Sequence, residues 1–218
     1  MDSQLFKENQ CSYQTTRTHN YKSHGYLFVK RTFDILFSLS ALCILTLPSL
    51  LIMLLIRLDS AGPALFTQER LGRNGKKFLI YKFRTMYMNA EENGPQFAVP
   101  GDKRCTRIGA FLRKTRIDEW PQFYNILCGD MSLVGPRPER EHYYLLLNDT
   151  IPDFTDRLLV KPGLTGYAQV YGGLQLTPEE KIIFDQHYVK HCNIALDWCC
   201  IMKTVVVLIR LLVCKNEE

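Results

Sequence analysis

Residues 35–56 form an apolar run of the kind that enters a lipid bilayer. The run has no charged side chain in 22 positions, and a straight helix of this length would measure about 33 Å. Pro48 lies within the run beside hydroxyl side chains, so the pattern predicts a kink there. Lys30, Arg31 and Arg57 flank the run, and the positive-inside rule is best met when both ends are cytoplasmic. Two alternatives follow, a hairpin that enters and leaves one leaflet and a single kinked span.

The sequence on either side of this run predicts three parts of the chain. Residues 1–29 are polar and have no helical or strand period, which predicts a poorly ordered tail. Residues 30–58 form the membrane segment, in which Arg31 and Asp34 share one helical face and either pair with each other or face solvent. Residues 59–218 form the folded domain.

Alternating apolar and polar positions after the membrane segment predict a β-hairpin over residues 64–86. Lys82 and Arg84 fall on one face of its second strand, where two cations could hold a diphosphate or simply face water. The following residues 89–109 are poor in apolar side chains and predict a loop long enough to act as a flexible cover.

Helical periodicity returns in the second half of the chain. Trp120, Phe123, Tyr124 and Leu127 form an apolar stripe that predicts a helix from about residue 118 to Gly129. A second helix is predicted to start at residue 177, where a threonine precedes proline and two glutamates. Residues 194–213 are strongly apolar but carry three charges, which favours a helix in the membrane interface over a second span and leaves a core helix as the alternative.

Composition narrows the partners and the compartment. The formal net charge of +5 and the pI near 8.7 fit an anionic substrate or an acidic membrane surface. They do not single out nucleic acid, and no basic face has interleaved aromatic side chains, so we expect no nucleic-acid partner. The eight cysteines are scattered and form no metal-type Cys-x-x-Cys pair. They predict buried reduced thiols on the cytosolic side, with neither a disulfide nor zinc.

Adjacent carboxylates at Asp118 and Glu119 are the strongest candidate for chemistry. Such carboxylates can bind a cation or attack phosphorus, while neighbouring cations neutralise phosphate charge. Pro121 is tolerated only in a first helical turn, which predicts both carboxylates at a helix N-terminus that also favours phosphate. An ordinary N-cap with a dipole partner is the alternative. The surrounding cations are Arg113, Lys114, Arg116, Arg137 and Arg140.

Several motifs in one order resemble the bacterial sugar transferase family, the monotopic polyprenyl-phosphate phosphoglycosyl transferases that begin surface-glycan assembly. The resemblance covers the chain from residue 30 to about residue 210. The motifs are Lys30-Arg-Thr-Phe-Asp, Gln68-Glu-Arg-Leu-Gly, Lys82-Phe-Arg-Thr-Met, Leu112-Arg-Lys-Thr-Arg-Ile-Asp-Glu-Trp-Pro-Gln, Gly129-Asp-Met-Ser-Leu-Val-Gly-Pro-Arg-Pro and Lys161-Pro-Gly-Leu-Thr-Gly.

The resemblance implies a helix-rich α+β fold with a re-entrant membrane helix-hairpin broken near Pro48. A compact catalytic domain with a small β-hairpin and interfacial amphipathic helices would follow, on the cytoplasmic face of the bacterial inner membrane. Larger relatives carry additional membrane spans and a further domain, so the chain resembles the minimal form of the family.

The resemblance also implies a reaction. A sugar 1-phosphate would pass from a UDP-sugar to polyprenyl (undecaprenyl) phosphate with Mg²⁺, through a covalent intermediate on Asp118 and with release of UMP. Glu119 would help bind Mg²⁺, with Asp118 as the other metal-binding carboxylate, or would manage the acceptor proton. The phosphate-binding candidates are Arg137, Lys82, Arg84 and Arg113, of which Arg137 is the firmest because a guanidinium matches phosphate oxygens.

Such an enzyme would catalyse the first membrane step of exopolysaccharide, lipopolysaccharide or other glycoconjugate synthesis. Its partners would be the UDP-sugar, the polyprenyl phosphate and the membrane, with a second copy of the chain and downstream glycosyltransferases as further candidates. No residue reports which sugar is transferred. Two other functions stay open, an Mg²⁺-dependent aspartyl-phosphate hydrolase and a noncatalytic membrane scaffold for glycosyltransferases.

Overall fold

The computed structural model describes residues 23–92, 94, 102–148, 150–172 and 176–213, with side chains up to residue 210. This part of the chain is helix-rich with two small sheets, which confirms the predicted helix-rich α+β class. The helices are α1 His24–Asp59, α2 Arg107–Thr115, α3 Gln122–Cys128, α4 Glu141–Leu147, α5 Pro178–His191 and α6 Ile194–Val213. The strands are β1 Leu65–Leu71, β2 Lys77–Phe83, β3 Ser132–Val134 and β4 Gly163–Thr165.

The apolar run lies in α1, a helix of 36 residues that continues through Pro48. Its mean hydropathy reaches 2.6, and by length and composition it could cross a membrane. The helix begins at His24, so the predicted boundary between tail and helix at residue 30 is wrong. Tyr26 explains the earlier start, because its hydroxyl donates to Asp197 of α6 (2.9 Å) and ties the first turns to the folded domain. Residues 1–22 of the predicted tail lie outside the described residues.

The N-terminal half of α1 is bonded to the main chain of the folded domain. Arg31 donates to the carbonyls of Ile126 (2.6 Å) and Leu127 (2.8 Å), near the C-terminal end of α3. Asp34, which is buried, accepts from the backbone N–H of Leu133 in β3 (3.0 Å). Neither predicted alternative for Arg31 and Asp34 is therefore right. Each side chain satisfies a backbone group of the folded domain, and that is why they neither hydrogen-bond to each other nor face solvent.

The C-terminal end of α1 is bonded to the same domain. Ile56 is 1% exposed and packs in one core with Phe83 and Leu112. Beyond the helix end, Arg84 donates to the carbonyls of Ser60 (2.7 Å) and Ala61 (2.6 Å). Arg84 also donates to Ile56 O (3.4 Å) in the last turn of α1, so it binds both the C-terminal end of the helix and the turn that follows.

The predicted β-hairpin is confirmed and is fixed to α3 by one buried side chain. β1 and β2 pair antiparallel in register over their whole length. Asn125 of α3 donates its amide to Leu79 O (2.7 Å) and accepts from Tyr81 N–H (3.1 Å), so it occupies the free edge of β2 as another strand would. This bond pair fixes β2 relative to the segment that precedes α3.

The Lys161-Pro-Gly-Leu-Thr-Gly motif forms the second sheet. β3 and β4 pair in parallel, with Ser132 opposite Gly163. A Cβ at Gly163 would lie 2.1 Å from Gly135 N, and a Cβ at Gly166 would lie 2.2 Å from Gly135 O. The glycines are therefore needed because the two backbones approach too closely for any side chain.

The last two helices begin where the sequence predicts. Thr177 and Glu180 form a reciprocal capping box before α5. α6 leaves one apolar stripe exposed, and its Trp198 contacts Phe33 of α1 edge to face (6.3 Å between centroids). This stripe consists of Ile194, Trp198, Met202, Val205 and Ile209.

The cysteines in the described part of the chain are free thiols. Cys192 and Cys200 are buried, as predicted, but Cys43, Cys128 and Cys199 are exposed, which corrects the expectation of uniformly buried thiols. These three lie on outward faces of helices, where the sequence around each is apolar but no described residue covers the thiol. Cys11 and Cys214 lie outside the described residues.

Candidate active site

Asp118 and Glu119 lie in a single 3-10 turn, Ile117–Glu119, between α2 and α3. The prediction that they occupy the first turn of the following α-helix is wrong, because α3 begins only at Gln122. The first turn is 3-10 because Pro121 has no N–H to donate to Ile117 O, which instead accepts from Trp120 N–H (3.1 Å). Arg116, the residue before this turn, has a left-handed backbone (φ 60°) and ends α2. A non-glycine residue rarely adopts this conformation, and such strain is often found at functional sites.

Glu119 is the centre of a buried cluster of charges. It is 6% exposed, and its Oε1 accepts from Arg137 (2.6 Å) and from Lys82 (3.1 Å). Burial acts to raise the pKa of Glu119, but Arg137 and Lys82 lower it by more than burial raises it. The pKa of Glu119 therefore lies well below the usual range. Glu119 in turn raises the pKa of Arg137. Glu119 is therefore ionised at neutral pH and holds both cations beside Asp118.

Asp118 is in the opposite electrostatic situation. It is 7% exposed, and its Oδ1 is buried without a hydrogen-bond partner among the described residues. Burial and the neighbouring Glu119 raise the pKa of Asp118 to about 6, against the effects of Lys82, Arg137 and Arg116. An ionised carboxylate with few hydrogen bonds is poorly stabilised, and this makes it more reactive toward an electrophile.

Two different elements deliver the cations. Lys82 comes from β2, which Asn125 fixes to α3. Burial lowers the pKa of Lys82, and the charge of Glu119 opposes this effect only in part. Arg137 follows β3 by way of Gly135 and Pro136, the segment against which the glycines of the Lys161-Pro-Gly-Leu-Thr-Gly motif pack. The glycines of this motif therefore pack against the backbone that leads into Arg137.

Two of the predicted phosphate-binding residues lie elsewhere. Arg84 is 4% exposed and is used on the carbonyls that end α1, so it is not available to a substrate phosphate. β2 ends at Phe83, so Arg84 lies beyond the strand and does not share the strand face of Lys82 that the alternation predicts. Arg113 donates to Cys105 Sγ (3.2 Å) and makes no recorded bond to the carboxylate pair. Arg140 pairs with Glu91.

Arg116 is among the cations that surround the carboxylates in the sequence, but it is not one of the four predicted phosphate-binding residues. Its charge lowers the pKa of both Asp118 and Glu119, which places it close to the pair. The sequence contains a usable signal, since Arg116 precedes the carboxylates by only two and three positions. A choice between Arg113 and Arg116 needs the left-handed turn, which sequence alone does not give.

The oxygen atoms of Asp118 and Glu119 fit an Mg²⁺ ion that takes most of its ligands from the substrate. The described residues contain no group of three or more His, Cys, Asp or Glu that could hold a metal by themselves. Mg²⁺ commonly binds through one or two carboxylates together with substrate phosphates and water. The unpartnered Oδ1 of Asp118 and the second oxygen of Glu119 are suitable oxygen ligands.

Comparison with known proteins identifies the family. The sequence model of the bacterial sugar transferase family matches residues 25–211 of this chain. A UDP-N-acetylgalactosamine-undecaprenyl-phosphate N-acetylgalactosaminephosphotransferase of Aeromonas hydrophila is 43% identical over 183 residues, which cover 83% of this chain and 43% of the relative. The exopolysaccharide production protein PSS of Rhizobium leguminosarum bv. phaseoli is 42% identical over 189 residues, covering 83% of this chain and 94% of the relative.

A third relative, the undecaprenyl-phosphate galactose phosphotransferase of Salmonella typhimurium, is 38% identical over 203 residues, covering 84% of this chain and 41% of the relative. The chain thus spans less than half the length of the Aeromonas and Salmonella proteins and nearly the whole of the Rhizobium protein. With a family match over most of its length and relatives above 30% identity, this chain belongs to the bacterial sugar transferase family.

Proposed function

We propose that the protein transfers a sugar 1-phosphate from a UDP-sugar to polyprenyl phosphate and releases UMP. The observation that carries this proposal is the contrast within the carboxylate pair. Glu119 binds two cations, whereas the adjacent Asp118 has a buried oxygen without a partner. Two of the relatives described above carry names for sugar-phosphate transfer to undecaprenyl phosphate.

In the first step an oxygen of Asp118 attacks the β-phosphorus of the UDP-sugar. A new bond forms between that oxygen and phosphorus, and the bond from phosphorus to the oxygen bridging the two phosphates breaks. UMP leaves with the electron pair, and the sugar phosphate stays on Asp118 as an acyl phosphate. Asp118 must be ionised to attack, and with its pKa at about 6 it is mostly ionised at neutral pH.

In the second step an oxygen of the polyprenyl phosphate attacks the same phosphorus. The Asp118 carboxylate leaves, and the sugar is linked to the lipid through a diphosphate. Lys82 and Arg137 lie beside the pair, where they can neutralise charge on the transferred phosphoryl group in both steps. Splitting the exchange into two displacements is the usual logic of covalent catalysis.

Asp118 and Glu119 would also hold Mg²⁺, as its preference for oxygen ligands requires. When bound, Mg²⁺ supplies neutralisation of the charge on the donor diphosphate. The protein's own contribution is to keep Glu119 ionised through Lys82 and Arg137, and to exclude water around Asp118 by burial.

The attachment of α1 supports a monotopic arrangement, in which α1 bends near Pro48 and returns to the same leaflet. Asp34 is bonded to β3, and Ile56 packs against β2 and α2. A helix that crossed a bilayer core of roughly 30 Å would leave these two anchors on opposite sides. Because one compact domain holds both, we infer that both ends lie on one side, at the cytoplasmic face where nucleotide sugars are available.

The exposed stripe of α6 supports a position in the membrane interface. Its apolar side chains continue from those of α1 through the contact between Trp198 and Phe33. Lys203, on another face of α6, lies 3.5 Å from the centre of the Tyr171 ring and so binds back to the domain. With α6 in the membrane interface, Asp118 would be held near the level of the lipid phosphates, as the first membrane step of exopolysaccharide or other glycoconjugate synthesis requires.

The test is UMP formation by purified protein in nanodiscs with a panel of UDP-sugars, Mg²⁺ and undecaprenyl phosphate. We expect lipid-linked product and a stoichiometric phosphosugar adduct on Asp118, detected by mass spectrometry, when the lipid is omitted. Asp118→Asn should abolish both, and Glu119→Gln should slow both. UMP formation that survives in Asp118→Asn would exclude this nucleophile. Lipid-independent release of free sugar phosphate would favour the hydrolase, and no turnover with any donor would favour the scaffold.

A further inference from the structure

The segment that carries Arg137 is held by its main chain at every residue from Pro136 to Glu139. Each carbonyl in this stretch accepts a hydrogen bond, and the donors come from three parts of the fold: β1, the 3-10 segment Phe154–Leu159 and β4. The bonds come from Gly163 N–H to Pro136 O (2.9 Å), Arg157 to Arg137 O (3.2 Å), Arg70 to Pro138 O (3.2 Å) and Leu71 N–H to Glu139 O (3.1 Å). The bond to Arg137 itself is thus made by a charged side chain.

Arg157 belongs to an ion pair that is almost fully removed from water. Its Nη2 lies 2.5 Å from Asp185 Oδ2, and both side chains are 1% exposed. Asp185 is on α5, and Arg157 is in the 3-10 segment Phe154–Leu159. The same nitrogen of Arg157 makes both bonds, to Asp185 and to Arg137 O. The position of the guanidinium, and with it the carbonyl of Arg137, is therefore set by α5.

Such a pair is a poor device for stability alone. Desolvating two charges costs free energy that their attraction recovers only in part, and apolar side chains of similar volume often serve as well or better. The pair is far in the sequence from the carboxylates and contacts neither of them in the described structure. Its direct bond to the main chain of Arg137 is the feature that distinguishes it from a core-filling pair.

We propose that Arg157 and Asp185 are positioning residues for Arg137. They fix the backbone from which the Arg137 guanidinium reaches Glu119, and in the complex with substrate they fix where that guanidinium meets the transferred phosphoryl group. The inference rests on the proposed function, since it assigns Arg137 a phosphate. A guanidinium displaced by an ångström or so loses much of its effect, so we expect roughly a 10- to 100-fold loss of kcat when the pair is removed.

The decisive variant replaces both charges at once, as Arg157→Met with Asp185→Leu. A pair that only fills the core would tolerate this change, and the variant would keep both its melting temperature and its activity. A positioning pair predicts a variant that keeps the wild-type melting temperature in detergent but has a lower kcat for UMP formation. The matched control is Lys77→Met with Glu141→Leu, which removes a more exposed pair (2.5 Å) that makes no bond to the main chain of Arg137 in the described residues, and it should leave kcat unchanged.

A second readout separates positioning from general damage. In an Arg137→Ala background, removal of the pair should cause no further loss of kcat, because the residue on which it acts is gone. An equal additional loss in that background would overturn the proposal. So would wild-type kcat in the folded double variant.

Arg157→Lys covers the case in which the double variant does not fold. A lysine keeps the charge opposite Asp185, but a single amine lacks the planar fork of the guanidinium. We expect a near-normal melting temperature with a reduced kcat, and a wild-type kcat would contradict the inference. If the wild-type enzyme itself forms no UMP with lipid present, the proposed function fails instead, and this outcome is read from the wild-type arm alone.

Discussion

Replacing Asp118 by asparagine should make the protein more stable at neutral pH while abolishing its activity. The folded structure holds Asp118 buried beside Glu119, and its pKa is raised from 3.8 to about 6. The folded state therefore binds the proton more tightly than the unfolded state does. Stability from this group is present below pH 4 and is lost as the pH rises through 6. Asparagine has a similar shape and carries no charge at any of these pH values.

The size of the effect follows from the shift. One pKa unit corresponds to about 1.36 kcal/mol, so a shift of roughly two units makes ionised Asp118 about 3 kcal/mol less favourable in the folded state. About half of this cost accumulates between pH 5 and pH 7.5, since part of it is already present at pH 5. Because a kcal/mol moves the melting temperature of a domain of this size by roughly 2–4 °C, the gap between variant and wild type should widen by about 3–6 °C over that range.

The assay is thermal unfolding in detergent at several pH values, with EDTA present so that no cation binds the carboxylates. Glu119→Gln is the matched control because its sign is opposite. The pKa of Glu119 is held below its usual range, so its ionised form contributes stability above about pH 4.5, and the variant also leaves Arg137 and Lys82 without their partner. We expect Glu119→Gln to be less stable than wild type by an amount that grows up to about pH 4.5 and then stays nearly constant from pH 5 to 7.5, where the gap for Asp118→Asn widens.

Two results would refute this reasoning. If the gap between Asp118→Asn and wild type narrowed or stayed constant from pH 5 to 7.5, the carboxylate of Asp118 would not be destabilised by its surroundings. If Glu119→Gln were at least as stable as wild type at neutral pH, Glu119 would not be stabilised by Lys82 and Arg137, and the division between a reactive Asp118 and a cation-binding Glu119 would be wrong.

Three further predictions follow from the same geometry. The kcat/KM for the UDP-sugar should rise with pH to a plateau above about 6 as Asp118 ionises. Arg116→Asn tolerates the left-handed backbone but lacks the positive charge, so it should move that rise to higher pH. An unchanged pH profile would show that Arg116 does not act on Asp118. Arg84→Met should lower the melting temperature more than the kcat of the folded enzyme, because Arg84 binds the carbonyls that end α1; a kcat loss without destabilisation would return it to the phosphate site. Single cysteines at Phe28 and Leu58, both exposed, should react with an impermeant maleimide from the same side of membrane vesicles, and labelling from opposite sides would establish a full span.

The sequence predicted those features that depend on local pattern. The β-hairpin and the start of α5 follow from alternation and from a capping motif, and both are confirmed. The carboxylates were found as adjacent acids among cations, which is also a local signal. The following α-helix begins at Gln122 and not near residue 118 as predicted, because the apolar stripe does not distinguish a 3-10 turn from the first turn of an α-helix.

The sequence could not predict the partners of buried charges. Arg84 shares a strand pattern with Lys82, yet tertiary contacts place it at the end of α1. Arg157 lies in the short 3-10 segment, where no sequence pattern indicates that it reaches the main chain of Arg137. Distances between residues that are 20 or more positions apart decide these roles, and no periodicity encodes them. The sequence does not predict the bond that Arg31 donates to α3 or the bond that Asp34 accepts from β3, for the same reason.

Adjacent carboxylates with pKa values displaced in opposite directions explain how one turn can both hold charge and attack phosphorus. If Lys82 and Arg137 bonded to Asp118, they would stabilise the nucleophile and make it less reactive; bonded to Glu119, they remain beside the reaction without quenching it. Opposite displacement of paired groups is how other enzymes separate two roles at neutral pH. The arrangement requires Arg137 to stay fixed on the Glu119 side, and the backbone bonds that hold residues 136–139, including the one from Arg157, supply that constraint.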